Sequence, residues 1–234
     1  MIVMRMIQRL IIVFGICLLL FSTLFFCTIT ANANEPFDTS ELEDILLMSA
    51  YDGDIKKVKA LISNGININA KGDNGETALL AAVNSGKGDV VALLLAYGAN
   101  IEEQNFQKST PLIIACQYGH AHISAMLIEM GANMNARDYN GYDPLMIAAA
   151  RGHDLIVRQL LAFGADSTKT NKHGNTALIL AMYDGHLPVV KTLLEKGNKK
   201  QLFIKNKRGQ TALDFANALK KPEMIKAIKK ALKD

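Results

Sequence analysis

Downstream of position 33, the residues whose types could do chemistry are five histidines, one cysteine and two sets of neighbouring carboxylates. The histidines are His120, His122, His153, His173 and His186, the cysteine is Cys116, and the carboxylates are Asp52/Asp54 and Glu102/Glu103. Imidazoles serve as metal ligands or general bases, a thiolate as a nucleophile, and paired carboxylates as an acid–base couple. Their spacing argues against each use. His120, His153 and His186 occupy one position of a repeating pattern. If each unit stacks on the next, packed helices keep them about 8–10 Å apart, whereas a metal needs its nitrogens at about 2 Å. They read as residues that stabilise loops. His120 and His122 lie close together but have no evident third ligand. Cys116, between Ala115 and Gln117 at a small-residue helix position, reads as a buried inert thiol. The acidic pairs read as solvated tips or interface rims. The chain has no G-x-S-x-G elbow, no H-E-x-x-H and no phosphate-binding glycine loop. Catalytic residues, metal ligands and cofactor contacts are therefore all expected to be none.

The elements that position these residues repeat. Gly65, Gly98, Gly131, Gly164 and Gly197 are evenly spaced, and so are Gly53, Gly86, Gly119, Gly152 and Gly185. Leu46, Leu79, Leu112, Leu145 and Leu178 form a third series with the same period. In Ser109–Ala136, Thr110 can cap a helix and Pro111 suits its first turn. Leu112, Ile114, Ala115 and Cys116 give that helix a packed face, and Gly119-His120 ends it. A second helix carries Ile123, Ala125, Met126, Leu127 and Ile128, and Gly131 permits a left-handed C-terminal turn. A polar segment with Asn-Gly or His-Gly follows, suited to a hairpin-like tip. A unit this small cannot bury its own apolar face and must stack on neighbours.

The pattern resembles the ankyrin repeat, whose period is about 33 and whose core reads T-P-L-H-x-A. The matching segments are Thr77–Gly86, Thr110–His120, Asp143–His153, Thr176–His186 and Thr211–Ala216. The resemblance implies an all-α ankyrin-repeat solenoid over residues 41–234. Its six helix–turn–helix units cover about 41–70, 71–103, 104–136, 137–169, 170–204 and 205–234. Leu80, Ile113, Met146, Ile179 and Asp214 stand where the family has histidine, so packing is expected to replace part of a hydrogen-bond ladder. Asp143 stands for the capping threonine. Two residues are inserted near Lys199-Lys200-Gln201, and the last helix is expected to bury Met224, Ile225, Ile228 and Leu232.

The first block reads as a targeting segment. Arg5 and Arg9 precede an almost wholly apolar run from Leu10 to Cys27, and Ala31-Asn32-Ala33 is a small-residue cleavage signal. The expectation is a signal peptide over 1–33, a short polar leader over 34–40, and a product in the periplasm or secreted. The alternative is an inner-membrane anchor through residues 10–27. Cys27 as a lipid-attachment site is disfavoured by the bulky Phe26 before it. After cleavage Cys116 alone remains, and no internal disulfide can form.

The family resemblance implies binding through loop tips and through the groove along the first helices. The tips are Asp73, Phe106, Tyr139 and Lys172, with Phe106 and Tyr139 as neighbouring aromatic anchors. The groove is expected to include Tyr51, Asn84, Ser85, Gln117, Tyr118, Arg151, Tyr183 and Asp184. Charge is polarised: residues 34–198 hold 13 Lys/Arg against 19 Asp/Glu, whereas 199–234 hold 11 against 3. Lys199, Lys200, Lys207, Arg208, Lys226, Lys229 and Lys230 could form a solvated cap, contact an anionic membrane or envelope surface, or meet an acidic protein. The expected function is a monomeric, non-enzymatic scaffold for another protein, with no nucleic-acid partner. Competing readings are a structural spacer at the membrane, an effector delivered to a host, and an enzyme with a cleft between units.

Overall fold

The computed structural model describes residues 40–233. The cleavage site, the apolar run, Cys17, Cys27 and residues 34–39 lie outside the described residues. Among the described residues there are twelve α-helices and no strand, arranged as six consecutive pairs. The pairs are α1 (Ser40–Asp52) and α2 (Ile55–Ser63); α3 (Ala78–Asn84) and α4 (Gly88–Ala96); α5 (Pro111–Tyr118) and α6 (Ala121–Glu129). They continue as α7 (Pro144–Ala150) and α8 (Asp154–Ala162); α9 (Ala177–Asp184) and α10 (Leu187–Lys196); α11 (Ala212–Ala218) and α12 (Pro222–Ala231). A 3₁₀ turn, Lys199–Leu202, takes up the two inserted residues.

Caps set the helix starts. The Thr77, Thr110 and Thr176 hydroxyls accept from the N–H groups of Leu80, Ile113 and Ile179, and the Asp143 carboxylate accepts from that of Met146. Each cap satisfies a backbone donor that the helix leaves without an internal partner. The residues replacing the family histidine follow the expectation. Leu80, Ile113, Met146 and Ile179 are buried, while Asp214 instead completes a reciprocal cap with Thr211.

First helices pack on first helices, and second helices on second helices, through the whole series. One apolar cluster runs from Leu46 to Ile228 without a break. First helices such as α3 and α9 are buried nearly all round, so their sequences show little amphipathic alternation. Leu232 departs from the expected stripe. It lies just past the end of α12 and is 41% exposed.

Three left-handed positions recur, one of them at Gly65, Gly98, Gly131 and Gly164 after the second helix. Gly75, Gly141, Gly174 and Gly209 hold positive φ at the loop turn, and Lys108, φ 59°, stands in their register. Gly53, Gly86, Gly119, Gly152 and Gly185 do so after the first helix, where Lys220, φ 52°, takes the last place. A side chain in this conformation costs about 1 kcal/mol relative to glycine. Lys108→Gly and Lys220→Gly are each expected to raise the unfolding free energy by about 0.5–1 kcal/mol, read from urea midpoints at constant slope.

Candidate protein-binding face

The polar loops form a ladder. The N–H of Phe106 donates to the Asn74 carbonyl, that of Tyr139 to Gln107, that of Lys172 to Asn140 and that of Lys207 to His173, at 2.9–3.4 Å. Within each loop an Asx side chain closes the turn. The Oδ1 atoms of Asn105, Asp138, Asn171 and Asn206 each accept two backbone N–H groups. The tip side chains are therefore mounted on backbone that is already ordered.

Asp73, Phe106, Tyr139 and Lys172 are all exposed along this edge. Phe106 and Tyr139 sit on adjacent loops and remain 74% and 65% exposed. The Phe106 ring reaches the turn of the preceding loop at Gly75, and the Lys172 ammonium stands 4.5 Å from the Tyr139 ring centroid.

Beside the loops lie the ends of the first helices. Gln117, Arg151 and Asp184 converge on one depression of about 340 Å³, together with Asp138, Asn140 and Tyr142. Tyr183 lines a second depression with Phe215, one unit further on. Tyr118 stacks on His120, with ring centroids 6.2 Å apart. Tyr51 is exposed on the first unit; Asn84 and Ser85 are half-buried, and Ser85 is turned back onto the Ala81 carbonyl. The basic residues line different depressions. Lys226, Lys229 and Lys230 share a depression on α12, whereas Lys207 and Arg208 line the Tyr183 depression. Lys199 and Lys200 are exposed on the 3₁₀ turn.

The residues considered for chemistry have structural positions. His120, His153 and His186 each begin a second helix, and each ring reaches back to the preceding unit. Their Nε2 atoms meet the carbonyls of Asn84, Gln117 and Ala150 at 3.2, 3.4 and 3.0 Å. A carbonyl only accepts, so Nε2 carries the hydrogen. Lys221 performs the same service for the carbonyls of Met182 and Tyr183, a positive charge at a helix C-terminus. Its register with the histidines was hidden by the two-residue insertion.

Three of the four paired carboxylates have partners. The Glu102 carboxylate accepts from the Asn133 N–H of the following unit, while Glu103 pairs with Lys71 of the preceding one at 2.5 Å. Lys71 holds the Glu103 carboxyl below its usual range, partly offset by burial. Asp54 caps α2. Cys116 is buried, and burial pushes its thiol far above the ordinary range, so no thiolate forms near neutrality. Among the described residues, no group of three or more His, Cys, Asp or Glu side chains could hold a metal ion.

Burial also pushes the Asp143 carboxyl up, against the Met146 N–H and the charges of Arg137 and Lys169. The folded chain thus holds this proton to higher pH than the unfolded chain. Stability from this group is fully present below the unfolded value of about 4 and is lost as pH rises through the folded one. Asp143→Thr, matching the caps elsewhere, is expected to remove that decline. Urea midpoints of variant and parent should diverge in the variant's favour from about pH 4 towards neutrality.

Sequence reasoning missed an exposed apolar residue that recurs at the ends of second helices. Tyr97, Met130 and Phe163 follow the second helices α4, α6 and α8 and are all exposed. The signal was present, since each directly precedes a glycine of the repeating series.

Among the described residues no helix is long and apolar enough to cross a membrane. No curated protein matches the chain. The family model for ankyrin repeats, described as three copies, matches residues 19–105, 46–138, 103–171 and 145–233. Those overlapping matches, the paired helices and the loop ladder agree, and the chain belongs to the ankyrin-repeat family.

Proposed function

We propose that this protein is a non-enzymatic scaffold, exported by its N-terminal segment to the periplasm or beyond, that holds another protein against its loop tips and first-helix ends. Ankyrin repeats generally mediate protein–protein interaction. The observation that carries the reading is the pair Phe106 and Tyr139. Two large aromatic side chains stand exposed on adjacent loops whose backbones are fixed by the ladder. Exposed aromatics on rigid backbone bury large area at small entropic cost, which is how interface anchors work. The scaffold acts as a monomer.

Native affinity capture tests this. The protein is tagged at its C-terminus, expressed from its own locus, and purified beside Phe106→Ala/Tyr139→Ala. One dominant partner, weakened about tenfold or more in the double variant, is the expected result. Equal capture by the two proteins contradicts the anchor assignment. N-terminal sequencing of the same material tests the leader: a start at Asn34 supports export and cleavage after Ala33, and an intact leader supports the anchored form.

A second reading, contact of the C-terminal end with an anionic envelope surface, draws on α12. Lys226, Lys229, Lys230 and Lys233 surround the half-buried Ile225 there. Salt-sensitive binding to anionic vesicles, lost when these lysines are neutralised, would support it.

A further inference from the structure

The Tyr183 depression, between the fifth and sixth units, differs from the one beside it. It encloses about 300 Å³ and is lined by His173, Asn175, Tyr183, Asn206, Lys207, Arg208 and Phe215. No carboxylate lines it, whereas the adjacent depression sets Asp138 and Asp184 beside Arg151. Neither Lys207 nor Arg208 forms an ion pair with any side chain of the described residues. Their backbones are nevertheless fixed, the Lys207 N–H on the His173 carbonyl at 3.0 Å and the Arg208 N–H on Asn206 Oδ1 at 2.9 Å. Opposite them, the Tyr183 and Phe215 rings lie 6.1 Å apart at a tilt of 42°.

Two cations without acidic partners, beside an exposed tyrosine ring and a half-buried phenylalanine ring, match one kind of occupant. A carboxylate meets Lys207 and Arg208, and an apolar side chain next to it in sequence lies on the rings. A lipid surface fits less well, because the cations lie in a recess between a loop and a helix end rather than on a flat face. Resting on the scaffold reading above, we propose that this depression holds an acidic segment of the partner protein, with Asp or Glu side chains between Lys207 and Arg208 and a flanking apolar residue on Tyr183 and Phe215.

A random-peptide display library selected on the full-length protein at low salt tests this. The expected peptides carry clustered Asp or Glu beside an aromatic or leucine. As synthetic peptides they should bind Lys207→Ala/Arg208→Ala about tenfold more weakly, and Tyr183→Ala about fivefold more weakly. All three side chains are exposed, so these variants keep the fold. Lys207→Glu/Arg208→Glu should select basic peptides instead. Enrichment of neutral or basic peptides by the parent, or undiminished binding to Lys207→Ala/Arg208→Ala, overturns the proposal. Peptides that are lost instead with Phe106→Ala/Tyr139→Ala overturn it while leaving the scaffold function standing. Binding of equimolar phosphatidylcholine–phosphatidylglycerol vesicles through Lys207 and Arg208, with no acidic peptide enriched, overturns it in favour of a lipid ligand.

Discussion

Leu127→Ala should lower the unfolding free energy by about 3 kcal/mol. Leu127 is fully buried in α6, in the third of six units, and α6 packs on α4 and α8. Truncation removes the transfer free energy of the side chain and leaves a cavity that neighbours on both sides must fill. A stack of this kind is held by unit and nearest-neighbour terms, so a central loss also weakens the coupling between its halves. The urea transition should shift to lower concentration and lose slope, because the ends begin to unfold independently. Ile228→Ala, equally buried but in the terminal helix α12, should fray the last unit and leave the main transition close to its original midpoint. Equal effects at the two positions would mean that the stack unfolds as one undivided core.

Gly197→Ala should cost about 2–3 kcal/mol, although nothing about its backbone conformation demands glycine. Its φ is −79° and its ψ 169°, unlike the left-handed Gly65, Gly98, Gly131 and Gly164 of the same series. The requirement is space. A Cβ would stand 2.4 Å from the Leu193 carbonyl oxygen and 2.6 Å from Gln201 Nε2. It would displace the buried Gln201 amide from that carbonyl, a hydrogen bond of 2.7 Å, and crowd the Ser167 hydroxyl that accepts the Asn198 N–H. At Gly164 the constraint is reversed: φ is +89° and a Cβ would meet open space. Gly164→Ala should therefore cost about 1 kcal/mol, the price of a left-handed alanine. Thermal unfolding of the two variants side by side separates steric exclusion from backbone strain.

The contrast between these glycines shows where sequence reading succeeds and where it stops. The 33-residue series revealed the units, the helix starts and the burial of Leu80, Ile113, Met146 and Ile179, because each follows from local capping or from apolar residues recurring in register. It treated Gly197 as one more member, since the reversal of its role comes from the inserted 3₁₀ turn folding against Leu193. The same insertion hid a loop partner. Counting by 33 from Lys172 leads to Lys205, yet it is Lys207 whose N–H joins the ladder at His173. Contacts between units were equally illegible. Glu102 and Glu103 look like a solvated pair until the stack turns one towards Asn133 and the other towards Lys71. Phe106 and Tyr139 were visible as loop-tip aromatics. The ladder beneath them, and the Lys172 ammonium over the Tyr139 ring, depend on how neighbouring loops are offset in space.

Site-specific photocrosslinking in living cells tests the central claim most directly. A photoreactive phenylalanine analogue is placed at Phe106, at Tyr139, or at the exposed Phe163 that follows α8. A single protein adduct of the same mass from Phe106 and Tyr139, absent from Phe163, is the result expected of a scaffold that binds through its loop tips. Adducts from Phe163 alone, or no protein adduct from either tip position, would contradict it.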